Sequence, residues 1–117
     1  MFERYAFVAL TTTDLGRARR FWVEQLGFAV TAEEPGHFFI VDAGGLRLCV
    51  DLADGDLHVA GGSDPVIGLL TGSLPQTLDA LAARAVRPTR PPVNAPRGRY
   101  AVLQDPDRRA VIVTEAE

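Results

Sequence analysis

The chain writes one plan twice, a strand, a helix and three more strands at a period of roughly 55 residues, and a repeat of that kind constrains architecture before composition does. Residues 6–13 are rich in apolar and β-branched types and predict a strand. Asp14 follows as an N-cap. Leu15, Ala18, Phe21, Trp22 and Leu26 then recur at three- and four-residue spacing, which predicts an amphipathic helix over 15–25 stopped by Gly27 at the C′ position. Strands over 28–33, 37–42 and 46–52 come next, divided by the turn-forming pairs Pro35-Gly36 and Gly44-Gly45.

The second copy opens with a strand over 66–71 and a helix over 74–85 that keeps Leu74, Leu78, Leu81 and Ala82 on one side. Residues 86–97 hold four of the eight prolines and admit only an edge strand. Strands over 100–104 and 110–114 close the copy, joined by the turn Asp105-Pro106-Asp107-Arg108. The expected fold is α+β. Residues 1–117 form a single domain of two paired βαβββ modules, approximately 1–56 and approximately 64–117, whose curved mixed sheet surrounds a cleft.

Composition narrows the function classes. With 47% hydrophobic and 23% charged residues in 117, the chain can bury a core without staples. Its twelve basic residues are all arginine, in runs no longer than two, and the net charge is −3, which disfavours a nucleic-acid partner. Cys49 is the only cysteine, so no intramolecular disulfide forms, and its expected role is a small buried hydrophobe. The absence of an apolar run of 18 residues, together with an opening that lacks the features of a signal peptide, predicts a cytoplasmic protein with no membrane partner.

The segment Phe7-Val8-Ala9-Leu10-Thr11-Thr12-Thr13-Asp14-Leu15, followed by Ala18, Phe21-Trp22 and Leu26-Gly27-Phe28, resembles the opening of glyoxalase, bleomycin-resistance and extradiol-dioxygenase proteins, the vicinal-oxygen-chelate superfamily. The segment Asp105-Pro106-Asp107-Arg108-Arg109-Ala110-Val111-Ile112 is similar to that family's closing Asp-Pro-Asp-Gly-Asn-x-x-Glu, with Arg108-Arg109 where Gly-Asn is usual. The resemblance implies the paired-module fold and a homodimer. It also implies four metal-ligand positions, which carry over to Phe7, Asp51, Val66 and Ile112. Three of these are apolar, and a divalent ion needs several convergent nitrogen, oxygen or thiolate donors, so the expectation is a subgroup with neither metal nor cofactor. His37 and His58 fall in or beside turns, off those positions.

Strand alternation assigns the cleft-facing set. Phe7, Ala9 and Thr11 face it from the first strand, and Arg47, Cys49 and Asp51 from the fourth. Val66, Gly68 and Leu70 face it from the fifth, Tyr100, Val102 and Gln104 from the seventh, and Ala110, Ile112 and Thr114 from the last. From these the expected ligand contacts are Phe7, Thr11, Arg47, Asp51, Val66, Tyr100, Gln104 and Ile112, an apolar trough with a few polar points that suits a small organic molecule. No Ser/His/Asp, Cys/His or phosphate-loop pattern accompanies them. The sequence therefore predicts a non-enzymatic binder of an aromatic or amphipathic compound. The rival expectation is a metal-independent lyase or isomerase using Asp51.

Overall fold

The computed structural model describes Met1 and residues 6–53, 65–95 and 98–115. His58, Asp54-Gly55 and the glycine-rich segment through Asp64 lie outside the described residues. The chain divides into two compact units, residues 1–64 and residues 65–117.

The first unit runs β1 (Val8–Thr12), α1 (Leu15–Arg19), β2 (Ala29–Glu34), β3 (Phe38–Ala43) and β4 (Leu46–Leu52). Asp14 starts α1 as its sequence position requires, its Oδ1 accepting the Arg17 N–H at 3.1 Å. The helix expected over 15–25 is present but changes type, continuing as a π-helical stretch over Arg20–Gln25. There the Leu26 N–H reaches back five residues to the Phe21 carbonyl at 2.9 Å. Gly27, at φ 83°, ends it. Strand order is β1-β4-β3-β2, with β1 parallel to β4 and the other pairs antiparallel.

The second unit runs β5 (Ile67–Thr71), α2 (Leu74–Ala82), β6 (Val93–Ala95), β7 (Gly98–Gln104) and β8 (Ala110–Glu115), in the order β5-β8-β7-β6. Thus each module is βαβββ, as the repeat predicts, and the strands form a four-stranded mixed sheet in each unit. The two units also share a local device. In one, the Thr12 hydroxyl accepts the Asp14 N–H and donates to the Asp14 carbonyl; in the other, the Thr71 hydroxyl does the same with Ser73. Ser73 caps α2, accepting the Gln76 N–H at 3.3 Å, and the Glu115 carboxylate accepts the Leu74 N–H at 2.7 Å.

Helix α2 ends at Ala82, short of the expected 85. The Val86 N–H returns to the Leu81 carbonyl at 2.9 Å and the Ala85 N–H to that of Ala82, a Schellman closure that puts Ala85 at φ 64°. Each helix packs on one face of its own sheet, α1 against β4 and α2 against β7 and β8. Under α1 lie Leu10, Leu48, Val50, Val41 and Phe39 with Phe21 and Trp22, and in the second unit Ile67, Leu74, Leu81, Leu103, Val111 and Val113 are buried. Fully burying each such side chain contributes about 1.5–3 kcal/mol. No helix among the described residues is long and apolar enough to cross a membrane.

Candidate functional site

In a strand, side chains alternate between faces, so the residues not spent on packing under a helix lie together on the other side of the sheet. In the first unit β1 and β4 run in parallel register, with Ala9 beside Cys49 and Thr11 beside Asp51. Across the antiparallel pair with β3, Asp51 meets Phe38 and Cys49 meets Ile40. Thr11, Asp51, Phe38, Cys49 and Ile40 therefore share the face away from α1. Phe38 and Ile40 were not among the expected contacts, because neither flank of β3 fixed its phase; the signal that finds them is the pairing with β4.

Strand β4 is buried on both faces. Cys49 is 1% exposed and Asp51 3%, although Asp51 carries a carboxylate. Its Oδ2 has no hydrogen-bond partner among the described residues. Burial, and then the negative charge of Asp51, push the Cys49 thiol above its ordinary value, so it stays protonated. Arg47 also lies on this face but stands four residues from Asp51, about 13 Å along the strand, opposite Asp42 and beside the Gly44-Gly45 turn. Phe7, just before β1, is 39% exposed. The structure thus brings Thr11 and Asp51 together and holds Arg47 apart from them.

In the second unit Ile112 sits at the centre of the corresponding face, opposite Gly68 on β5 and Val102 on β7. Tyr100 faces Thr114 at one end of that sheet, and Gln104 faces Ala110 at the other. Val66 and Leu70 are 60% and 73% exposed. Among the described residues, cavities also open beside the helices. One of about 250 Å³ opens between α1 and the β2–β3 hairpin, lined by Leu15, Arg19, Glu33 and Phe39 among others. Arg19 there pairs with Glu33 and stands over the Phe39 ring at 6.0 Å. Another, of about 450 Å³, lies between α2 and the proline-rich segment and includes Leu78, Arg87 and Arg90. Neither is lined by an expected ligand contact.

Residues 4–112 match the Glyoxalase/Bleomycin resistance protein/Dioxygenase superfamily. The chain belongs to this superfamily. Solved structures of similar fold agree. TnmS3, an antibiotic binding protein from Streptomyces sp. CB03234, is 25% identical, each chain covering 100% of the other, with a TM-score of 0.74. TioX from Micromonospora sp. ML1 is 19% identical, with 98% of this chain and 100% of that one covered and a TM-score of 0.78. A lactoylglutathione lyase from Agrobacterium tumefaciens is 16% identical, with 98% and 95% covered and a TM-score of 0.75. No curated protein matches the chain significantly.

The superfamily's metal-dependent members make the donor set worth testing. Strand register revises one of the carried-over positions. Ala9 and Gly68 each stand five residues before their helix caps, Asp14 and Ser73, and they pair with Cys49 and Ile112 respectively. The first-unit counterpart of Ile112 is therefore Cys49, and Asp51 lies one pleat further on, matching Thr114. The set becomes Phe7, Cys49, Val66 and Ile112, whose single donor is a buried, protonated thiol. Among the described residues no three His, Cys, Asp or Glu side chains converge, and His37 is an exposed turn residue 3.9 Å from Glu34. These residues do not fit a divalent ion.

Proposed function

We propose that this superfamily member is a small-molecule-binding protein that holds an aromatic or amphipathic compound on an apolar, helix-free sheet face, without a metal, and sequesters it. The observation that carries the reading is the face of the second sheet, where Val66 and Leu70 stay largely exposed beside Tyr100, Val102 and Ile112. Exposed apolar side chains gathered on one face mark a contact surface, and apolar area with a few placed polar groups is what a small-molecule site needs. The 25% identity to an antibiotic binding protein supports sequestration of an antibiotic-like compound, hence a resistance role. The proposal includes a homodimer in the cytoplasm, with neither nucleic acid nor membrane as partner.

The test is a thermal-shift screen of aromatic metabolites and antibiotics, followed by titration of hits against Phe7→Ala, Tyr100→Ala and Ile112→Ala. Truncating an aromatic residue that contacts ligand loses about 2 kcal/mol, about thirtyfold in affinity. Hits unaffected by every substitution, in variants that remain folded, place the site elsewhere. A second reading, a metal-independent lyase or isomerase, is favoured by the buried Asp51 carboxylate alone, since Arg47 is too distant to share a proton with it. Turnover of a hit that vanishes in Asp51→Asn would favour that reading instead.

A further inference from the structure

One oxygen of the Asp51 carboxylate, Oδ2, is buried without a hydrogen-bond partner among the described residues. Asp51 is 3% exposed, and no arginine or histidine bridges it among the described residues. Burying an ionisable oxygen without a donor is strongly unfavourable, and such a group in a native chain calls for an explanation, of which a donor supplied from outside the fold is one. Asp51 caps no helix and closes no turn, unlike Asp14, Asp42 and Asp105, whose oxygens all accept backbone N–H groups. Its counterpart in the second unit is Thr114, so the repeat does not require an acid there. The register also separates it from the position matching Ile112, so it is no remnant of a metal set.

Its surroundings define what would bind. Phe38 stands directly across from Asp51 on β3 and Thr11 directly across on β1, while Cys49 and Ile40 continue the face as apolar ground. A neutral hydroxyl would satisfy Oδ2 weakly; a cationic N–H donor would satisfy it and neutralise it at once, and charge-assisted hydrogen bonds are roughly twice as strong as neutral ones. A phenyl ring beside such a cation adds to the attraction. A single carboxylate is too few donors for a metal ion.

Resting on the binding function proposed above, we infer that the compound taken by this site carries a protonated amine on an aromatic body, with the amine seated on Asp51 and the body against the face that includes Phe38. The full chain is titrated with three naphthalenes differing in one group: 2-naphthylmethylamine, which is protonated at neutral pH, 2-naphthylmethanol and 2-naphthoic acid. The amine is expected to bind tightest and the acid not at all. Asp51→Asn lowers affinity for the amine at least tenfold and leaves that for the alcohol unchanged, with circular dichroism confirming the fold. Asp51→Leu, which keeps the branched skeleton and removes the polar atoms, is likewise expected to lower affinity for the amine at least tenfold. Equal binding of amine and alcohol, or an amine affinity untouched by both substitutions, overturns the inference while leaving the binding function standing. No binding by any of the three, nor by any member of the aromatic screen, overturns both.

Discussion

Thr11 and Asp51 stand side by side in the parallel pairing of β1 with β4, and the same place in the second unit is held by Leu70 and Thr114. The comparison is anchored by the matching hydroxyl devices of Thr12 and Thr71, which fix the count from strand to helix cap in each unit. The two modules share a backbone plan and differ on their helix-free faces. One offers an unpartnered acid beside a hydroxyl, the other an exposed leucine beside a hydroxyl.

Ala85 and Arg108 are the non-glycine residues at positive φ, 64° and 66°, among the described residues. Left-handed backbone costs an L-residue roughly 1–2 kcal/mol, and glycine escapes the cost. Ala85→Gly and Arg108→Gly are each expected to stabilise the protein by about 1 kcal/mol, less than the full strain because glycine is also freer when unfolded. Urea unfolding midpoints at unchanged slope check it.

Asp105 is the hub of the β7–β8 turn. Its Oδ1 accepts the N–H groups of Asp107 and Arg109 at 2.9 and 2.8 Å, and its Oδ2 pairs with the Arg109 guanidinium at 2.6 Å. Both side chains are nearly inaccessible, 1% and 8% exposed. Asp105→Ala removes two charge-assisted bonds to backbone N–H groups and the ion pair with Arg109 at once, and is expected to cost about 3–5 kcal/mol, a large part of the stability of a single domain. Equilibrium unfolding measures it, and a loss under 1 kcal/mol would show that the pair is dispensable.

Most of this architecture was legible because the period of two in the strands and the cap-to-glycine span of the first helix are written in local chemistry. Strand β4 falls on the expected residues, and Gly27 stops the helix where a left-handed residue was needed. The change to π-helix over 20–25 was not legible, because an i−5 bond at Leu26 leaves the apolar spacing of Ala18, Phe21 and Trp22 unaltered. The early end of α2 was not either, since Ala83 and Ala85 are good helix formers and no glycine marks the stop. The alternation of β4 put Asp51 on the helix-free face but gave no sign that it would be buried, and the equivalence of Cys49 with Ile112 needed the pairing of four strands.

Cys49 is buried on β4, and its thiol is pushed up first by desolvation and then by Asp51. The folded state therefore holds the proton more tightly than the unfolded chain. The resulting stabilisation is fully present below the thiol's ordinary value of 9.0 and is lost as pH rises toward the raised folded value. Native protein is expected to resist iodoacetamide at neutral pH and to react once unfolded. Cys49→Ala is expected to flatten the decline of stability above that pH, relative to the parent, in a series of thermal melts.

The proposed metal-free homodimer has two direct checks. Light scattering is expected to give about twice the 12.6 kDa chain mass. Elemental analysis of tag-free protein is expected to find no stoichiometric zinc, nickel, iron or manganese. One tightly held transition metal per chain would require donors beyond Phe7, Cys49, Val66 and Ile112.

A buried polar atom without a partner costs about 1–3 kcal/mol, and replacing it with an apolar group of the same shape recovers that cost. In the ligand-free protein Asp51→Leu is therefore expected to raise stability by about 1–3 kcal/mol, a gain of several degrees in Tm for a chain of this size. Leucine there would join Phe38, Cys49 and Ile40 in a continuous apolar face. Asp51→Asn keeps two polar atoms buried and is expected to gain little. A scan calorimeter separates the cases: stabilisation by leucine but not asparagine identifies the unpartnered oxygen as the source, whereas destabilisation by both would mean that Asp51 makes a bond the fold depends on. A site that is costly in the free protein and neutralised by its ligand is the stability cost expected of a binding residue, so the same Leu variant that melts higher should be the one that binds the amine least.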